Sequence, residues 1–413
     1  MQLRVEKTNQ AKGKIEISGS KNSALPIICG TMLSDKSVNL SNIPKITDIY
    51  NLLNIIREAG VNINFKNHKL IVRAKNFNPI FLNKEVTLFR ASYYLIGVSL
   101  FRYGMCTIRL PGGCSFCERP IDLHLYAFKE LGYHIDIKDD VIKINKIETN
   151  GNIKIFFSKQ SVGATINTIF ASLKEQEVRI YNPSLEPEVL DVINFLNKQG
   201  FNIEIDKNVL IINNKHNLKS ISYKVMSDRI EAGSYLLLLS TIDNVNVRMI
   251  NAPIKFMDNV INLSKDLGLD ITILNGDLFI TKGKANIKDK YVIDIYPSIP
   301  SDLQQILTCC LLKYNIETNI EDHIYPNRIS HLKEINKLNG NVKFVDNVIK
   351  ISPSKINGGI VVAKDLRCAF GLICLAQSSD EPIIINNAEF LLRGYEFPIL
   401  KLKKIGIKIK TFN

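Results

Sequence analysis

The sequence predicts an α/β protein of two domains, and three observations predict it. Six times an apolar helical stretch runs into a glycine and then into an alternating strand: Gly60, Gly132, Gly200, Gly268, Gly340 and Gly406, at separations of 72, 68, 68, 72 and 66 residues. Six times a second helix, apolar nearly all round, opens on polar or charged residues. The sixth copy stops one strand short, while the first is preceded by strand-like residues that have no helix of their own. A helix without a polar face has to be buried, so each unit carries one buried helix and one amphipathic helix that covers it. Three units per half give two similar domains, and a chain of 413 residues suits that number.

Each element follows in order. The first unit opens with SGSKNSALPIICGTML from Ser18 and continues through IREAGVNINF and KLIVRA. The second opens with RASYYLIGVSLF from Arg90 and runs through FKELGYHIDI and DVIKIN; the third opens with SVGATINTIFASL from Ser161 and runs through LNKQGFNIEI and NVLIIN. The fourth has SDRIEAGSYLLLLS from Ser227, SKDLGLDITI and DLFITK, and the fifth PSDLQQILTCCLL from Pro300, INKLNGNVKF and NVIKIS. The sixth has DLRCAFGLICLAQ from Asp365 and LKKIGIKIKT, with no second strand after it. Leucine or isoleucine at helical spacing before each glycine suits a helix ended by a left-handed cap, and the alternation after it suits a half-buried strand. The leading segment LRVEKTNQAKGKIEISG reads as a hairpin, and residues near 1–20 are expected to complete the sixth unit. The domains are then 21–226 and a discontinuous 1–20 with 227–413, the chain crossing near Ser20 and again near Met226, which makes a hinge.

Composition narrows the class. With 53 Lys+Arg against 40 Asp+Glu the net charge is +13, but the lysines are scattered among isoleucines and asparagines and form no designed basic face, so no nucleic-acid partner is expected. The absence of an 18-residue apolar run, together with a charged N-terminus, argues for a cytoplasmic protein without a membrane partner. Most of the eight cysteines lie inside apolar helices, where a thiol serves as a small core residue.

The helix openings carry the chemistry. Lys21 and Asn22, Arg90, Lys159 with Ser161 and Gly163, Asp228 and Arg229, Asp302, and Asp365 with Arg367 all lie within a few residues of them. Free N–H groups and the helix dipole already favour anions there. One such residue reads as a cap or a surface charge; recurrence at equivalent positions reads as a site, gathered in a cleft between the domains. The segment LPGGCSFCERPID, from Leu110, presents Cys114 shortly before Arg119, a setting for a nucleophile or an acid. Cys114 and Cys117 also read as a CxxC redox or zinc pair, though no second ligand pair at metal spacing accompanies them.

SGSKNSALPI, NIPKITDI, FRASYYLIG, LPGGCSFCERPIDLH, KQSVGAT, EPEVLD, SDRIEAG, PSDLQQ, the NR of YPNRISHL, DLRC and RGYE occur in this order, and over nearly its whole length the chain resembles the bacterial UDP-N-acetylglucosamine 1-carboxyvinyltransferases. The resemblance implies a two-domain inverse α/β barrel of six βαβαββ units. It also implies transfer of the enolpyruvyl group of phosphoenolpyruvate to the 3-hydroxyl of UDP-N-acetylglucosamine, with release of phosphate and with no metal or organic cofactor. By the same resemblance Lys21, Arg119 and Arg393 hold the phosphate of phosphoenolpyruvate with Asn22 beside them, while Arg328 and Arg367 sit near its carboxylate. Asn22, Arg90, Arg119, Pro120, Ile121, Asp122, Leu123, Lys159, Ser161, Val162, Gly163, Asp302, Ile324 and Asp365 match positions that bind the UDP-sugar, and His124 adjoins the nucleotide. Asp302 is placed to take the proton of the attacking hydroxyl, and Cys114 to act as acid or as a gate for product release. Cys117, Glu118 and Pro326 depart from the family pattern. The alternative is 3-phosphoshikimate 1-carboxyvinyltransferase, which shares the fold but lacks the cysteine loop; a non-enzymatic repeat scaffold has no need of charged groups at homologous openings.

Overall fold

A computed structural model describes residues 1–88, 90–110, 121–147 and 151–412. The described residues divide into two compact units: the continuous unit takes those between Gly19 and Met226, and the discontinuous unit joins Met1–Ser18 to those from Ser227 onward. Each has its own hydrophobic core.

In the continuous unit the helices are α1 (Lys21–Gly30), α2 (Thr47–Glu58), α3 (Tyr94–Tyr103), α4 (Asp122–Glu130), α5 (Val162–Ser172) and α6 (Pro187–Gln199). In the discontinuous unit they are α7 (Arg229–Ser240), α8 (Asp258–Asp266), α9 (Gln304–Leu311), α10 (Ser330–Lys337), α11 (Leu366–Leu375) and α12 (Pro398–Lys404). Odd-numbered helices are the buried ones, and every residue of α7 is buried. Even-numbered helices are amphipathic. Helix α2 buries Ile49, Leu52, Leu53 and Ile56 along one stripe, with Asp48 in its first turn and Arg57 in its last, each matching the dipole.

The described strands form six four-stranded sheets of one pattern, two parallel strands followed by two antiparallel ones. In four of them the parallel pair is joined by a crossover through a buried helix, while Val38–Ser41 takes Ile221–Lys224 and Asn244–Ile250 takes Gln10–Glu16 as a parallel partner from far along the chain. In the third unit, for example, Asn152–Phe156 pairs parallel to Glu177–Tyr181, which pairs antiparallel to Val209–Asn213, itself paired to Asn202–Asp206. With its two helices this is a βαβαββ unit, the repeat of the two-domain inverse α/β barrel.

Two expectations are corrected. The leading segment is not a hairpin, because its two strands enter different sheets. Gln2–Val5 lies between Ile383–Asn386 and Ile409–Phe412 and completes the sixth unit, whereas Gln10–Glu16 runs parallel to Asn244–Ile250 in the fourth. The fifth glycine is not a left-handed cap either. Asn339 takes that conformation at φ 64°, and Gly340 follows it, whereas Gly60, Gly132, Gly200, Gly268 and Gly406 have φ between 78° and 110°. Asparagine tolerates the left-handed region through its short polar side chain, so the residue just before the glycine does the glycine's work.

Candidate active site

The helix openings of the continuous unit hold one group of residues. Ser20 caps α1 by accepting from the Ser23 backbone N–H at 3.3 Å, and Lys21 Nζ, in the first turn, lies 3.5 Å from Asp48 Oδ2 at the start of α2. Asn22 is half-buried beside it. Ser161 caps α5 through the Ala164 N–H, placing Val162 and Gly163 in the first turn, while Lys159 is exposed. Arg90 begins a 3₁₀ turn that leads into α3. Ile121 and Asp122 open α4, followed by buried Leu123 and His124. Cys114, Cys117, Glu118, Arg119 and Pro120 lie outside the described residues.

His124 has a defined role in this packing. Asn167 on α5 accepts the Gly97 N–H on its Oδ1 at 3.0 Å, so its Nδ2 is the atom that faces both Tyr93 O and His124 Nδ1, each at 2.9 Å. An amide nitrogen only donates, so Nδ1 accepts and the proton of the neutral ring sits on Nε2. That nitrogen has no partner among the described residues, and a Cβ on Gly163 would lie 3.1 Å from it. The ring therefore offers one N–H donor at the glycine in the first turn of α5.

In the discontinuous unit, Asp302 lies in a 3₁₀ turn just before α9 and brings two buried arginines together. Arg328 Nη1 donates to Asp302 Oδ1 at 3.0 Å and to Ser301 O at 2.9 Å; Arg367 Nη2 donates to Asp302 Oδ2 at 3.3 Å. Asp365 caps α11, its Oδ1 accepting from the N–H groups of Arg367 and Cys368 at 2.6 and 2.9 Å. Its Oδ2 accepts from Gln305 Nε2 at 3.1 Å. Ile324 is fixed from behind: Asp322 accepts its N–H and that of Tyr325, both at 2.9 Å, while Ser301 Oγ donates to the other oxygen of Asp322 at 2.6 Å. Arg393 ends a 3₁₀ turn, Ala388–Arg393, and is half-buried.

The sequence singled out Asp302, Arg328, Arg367 and Asp365, and the fold brings these four together. It did not single out Asn167, Gln305 and Tyr395, which contact His124, Asp365 and Arg367 respectively. Gln305 and Tyr395 lie inside the matched segments PSDLQQ and RGYE, which was the available signal; Asn167 had none, being one polar residue in a buried helix.

Two buried histidines make stability depend on pH. His124 and His331 have pKa values pushed down to about 3, first by burial and then by Arg90 and Arg328 respectively. Unfolded, each ring titrates near ~6.5, so between that value and about 3 the unfolded chain binds protons that the native one refuses. Stability attributable to each ring is therefore present above pH ~6.5 and falls as pH drops, by about 1.4 kcal/mol per unit. Between pH 7 and pH 5 the urea midpoint should fall, and His124→Asn or His331→Asn should flatten that slope. An identical slope in both variants would refute the assignment.

Comparison with known proteins matches residues 5–400 to the family model described as EPSP synthase (3-phosphoshikimate 1-carboxyvinyltransferase). A UDP-N-acetylglucosamine 1-carboxyvinyltransferase of Pelagibacter ubique is 34% identical over 407 residues, covering 97% of each chain. A protein of Staphylococcus epidermidis, UDP-N-acetylglucosamine 1-carboxyvinyltransferase 2, is 36% identical over 407 residues, covering 97% of this chain and 96% of that one. Among solved structures, the enolpyruvyl transferase NikO of Streptomyces tendae superposes with a TM-score of 0.86 at 18% identity, over 99% of this chain and 98% of that one. An EPSP synthase of Acinetobacter baumannii superposes at 0.74 and 16% identity over 100% of both. At those identities the two structures bear on the fold.

Proposed function

From the premise that the chain belongs to the EPSP synthase family, and within it to the UDP-N-acetylglucosamine 1-carboxyvinyltransferases, we infer the following reaction. The enzyme transfers the enolpyruvyl group of phosphoenolpyruvate to the 3-hydroxyl of UDP-N-acetylglucosamine and releases phosphate, a step in making peptidoglycan precursors. The observation that carries this reading is the carboxylate of Asp302 between the guanidinium groups of Arg328 and Arg367.

Both substrates are polyanions, and planar guanidinium groups bind carboxylate in two-pronged fashion. The carboxylate paired with both Arg328 and Arg367 is the enzyme's own Asp302. Phosphoenolpyruvate brings a second carboxylate, which competes for the same N–H donors and releases an Asp302 oxygen to accept a proton. Binding of one substrate thereby readies the base for the other. The sugar 3-hydroxyl gives its proton to Asp302 and its oxygen to C2 of phosphoenolpyruvate, while C3 gains a proton, for which Cys114 is the candidate donor. The tetrahedral adduct then loses that C3 proton or its equivalent together with phosphate, restoring the C2–C3 double bond. Lys21, Arg119 and Arg393 take up the phosphate charge. His124, neutral and with Nε2–H presented, is a donor for the UDP-sugar alongside Arg90, Ser161 and the first turn of α5. Such a site acts by charge and positioning.

No helix among the described residues is long and apolar enough to cross a membrane, and a cytoplasmic setting suits six buried thiols outside any disulfide. The test is phosphate release from phosphoenolpyruvate in the presence of either acceptor. UDP-N-acetylglucosamine should support turnover and shikimate 3-phosphate should not; the reverse result would reject the assignment.

A further inference from the structure

Arg367 has a second set of contacts that the chemistry above does not use. Its Cζ lies 5.2 Å from the ring centroid of Tyr395, a cation–π contact. Tyr395 is 1% exposed and tilts against Phe370 at 4.8 Å. Its hydroxyl oxygen is 2.8 Å from Ser234 Oγ on α7, and Ser234 Oγ is 2.7 Å from the carbonyl oxygen of Ile230, one turn back.

Counting protons fixes the direction of every bond in this chain. A carbonyl only accepts, so the single Ser234 proton goes to Ile230 O. Ser234 can then only accept from Tyr395, and the single Tyr395 proton goes to Ser234. With its proton committed to Ser234, the phenol oxygen has only lone pairs left for the guanidinium, which only donates. The order is Tyr395 to Ser234 to Ile230, both bonds pointing one way through a region closed to water, where each polarises the next. Burial pushes the Tyr395 hydroxyl up to about 12, outweighing the opposing pull of Arg367, so the phenol keeps the proton this order requires.

We propose that Tyr395 and Ser234 are positioning residues for Arg367. The ring holds the guanidinium by cation–π contact, the phenol lone pairs favour its N–H groups, and the position so fixed keeps Nη2 at Asp302 and leaves the other donors for the anion. Ser234 acts at one remove: it makes the Tyr395 hydroxyl a donor away from Arg367, so that lone pairs and never the O–H face the cation. This rests on the reading above in which Arg367 receives the carboxylate of phosphoenolpyruvate. Nothing in helix stability calls for serine there, since a hydroxyl bonded back to the i−4 carbonyl slightly weakens a helix and alanine favours it.

That contrast makes the test. Ser234→Ala should favour the helix but leave the buried Tyr395 O–H without its acceptor, so the thermal midpoint should fall modestly. With it, kcat/KM for phosphoenolpyruvate should drop about five- to tenfold, the scale of one hydrogen bond, with KM for UDP-N-acetylglucosamine within about twofold. Tyr395→Phe, which keeps the ring and loses the hydroxyl, should lose about tenfold or more, and Ser234→Thr should restore wild-type values. Because both act through one oxygen, the double variant should match Tyr395→Phe alone. Wild-type kcat/KM in a folded Ser234→Ala enzyme, or losses that multiply in the double variant, would overturn the proposal. Arg367→Lys separates it from its premise: an unchanged KM for phosphoenolpyruvate in that variant would reject the role of Arg367 itself.

Discussion

Asp302→Asn should leave the affinity for both substrates within about tenfold and lower kcat by at least ~10²-fold, the scale of a lost general base. The amide is close in shape to the carboxylate but does not take a proton from the sugar hydroxyl. It also fits poorly between two cations: Asn oxygen can accept from one guanidinium, while its NH₂ then faces the donors of the other. Arg328 and Arg367, 8% and 4% exposed, lose the resident anion, so KM for phosphoenolpyruvate should be unchanged or lower while turnover collapses. A fall in kcat without a rise in that KM is what distinguishes loss of a base from loss of a binding contact. Steady-state kinetics with each substrate varied in turn make the measurement, and near-normal kcat would remove Asp302 from the chemistry.

The second large effect is expected at Gly97, a position with no reactive group. A Cβ there would lie 2.5 Å from the Asn167 carbonyl oxygen, 2.8 Å from its Oδ1 and 2.9 Å from Phe170 Cβ. Helices α3 and α5 meet at this point, and two of those three neighbours belong to the residue that holds His124. Gly97→Ala must therefore push α5 away, at an overpacking cost of about 2–3 kcal/mol. For a unit of this size that is a fall of about 5–10 °C in the thermal midpoint. Because Asn167 Oδ1 also accepts the Gly97 N–H, the same displacement frees Asn167 to turn and deprives His124 of its donor at Nδ1. KM for UDP-N-acetylglucosamine should then rise several-fold with KM for phosphoenolpyruvate little changed. Wild-type stability in the Gly97→Ala enzyme would show that the helix contact has slack.

How far the sequence could be read depended on how far apart the interacting residues are. Within a unit the repeat was legible because its signals are local: periodic leucines, a cap, an alternating strand. Charges at helix openings were legible for the same reason, since Lys21, Arg90, Asp302 and Arg367 each sit beside a recognisable start. Strand partners of the first residues were not, because Leu3 pairs with Ile385 and Thr411, and no local pattern separates that from a hairpin. The fifth cap was misassigned because asparagine and glycine stand side by side and either can adopt a positive φ. Tyr395 and Ser234 lie 161 residues apart in sequence, and neither the matched segment around Tyr395 nor the apolar helix around Ser234 points to the other. What was legible of the site is thus its charges, and what was hidden is the neutral residues that aim them.

The first strand also sets the order in which the protein can be completed on the ribosome. Residues 2–5 leave the exit tunnel ahead of every other described strand, yet their sheet needs Ile383–Asn386 on one side and Ile409–Phe412 on the other. Leu3 and Val5, fully buried in the finished molecule, therefore wait without a partner until the intervening strands have all been made. The three sheets between Gly19 and Met226 draw on no residue beyond Lys224, so that unit has all its strands while the other is still being translated. The early-finished part is looped out of the late-finished one, and a nascent chain halted before Ile409 carries one folded unit between a short leading segment and a long unfinished part of the other, a natural substrate for chaperones that hold unfinished chains.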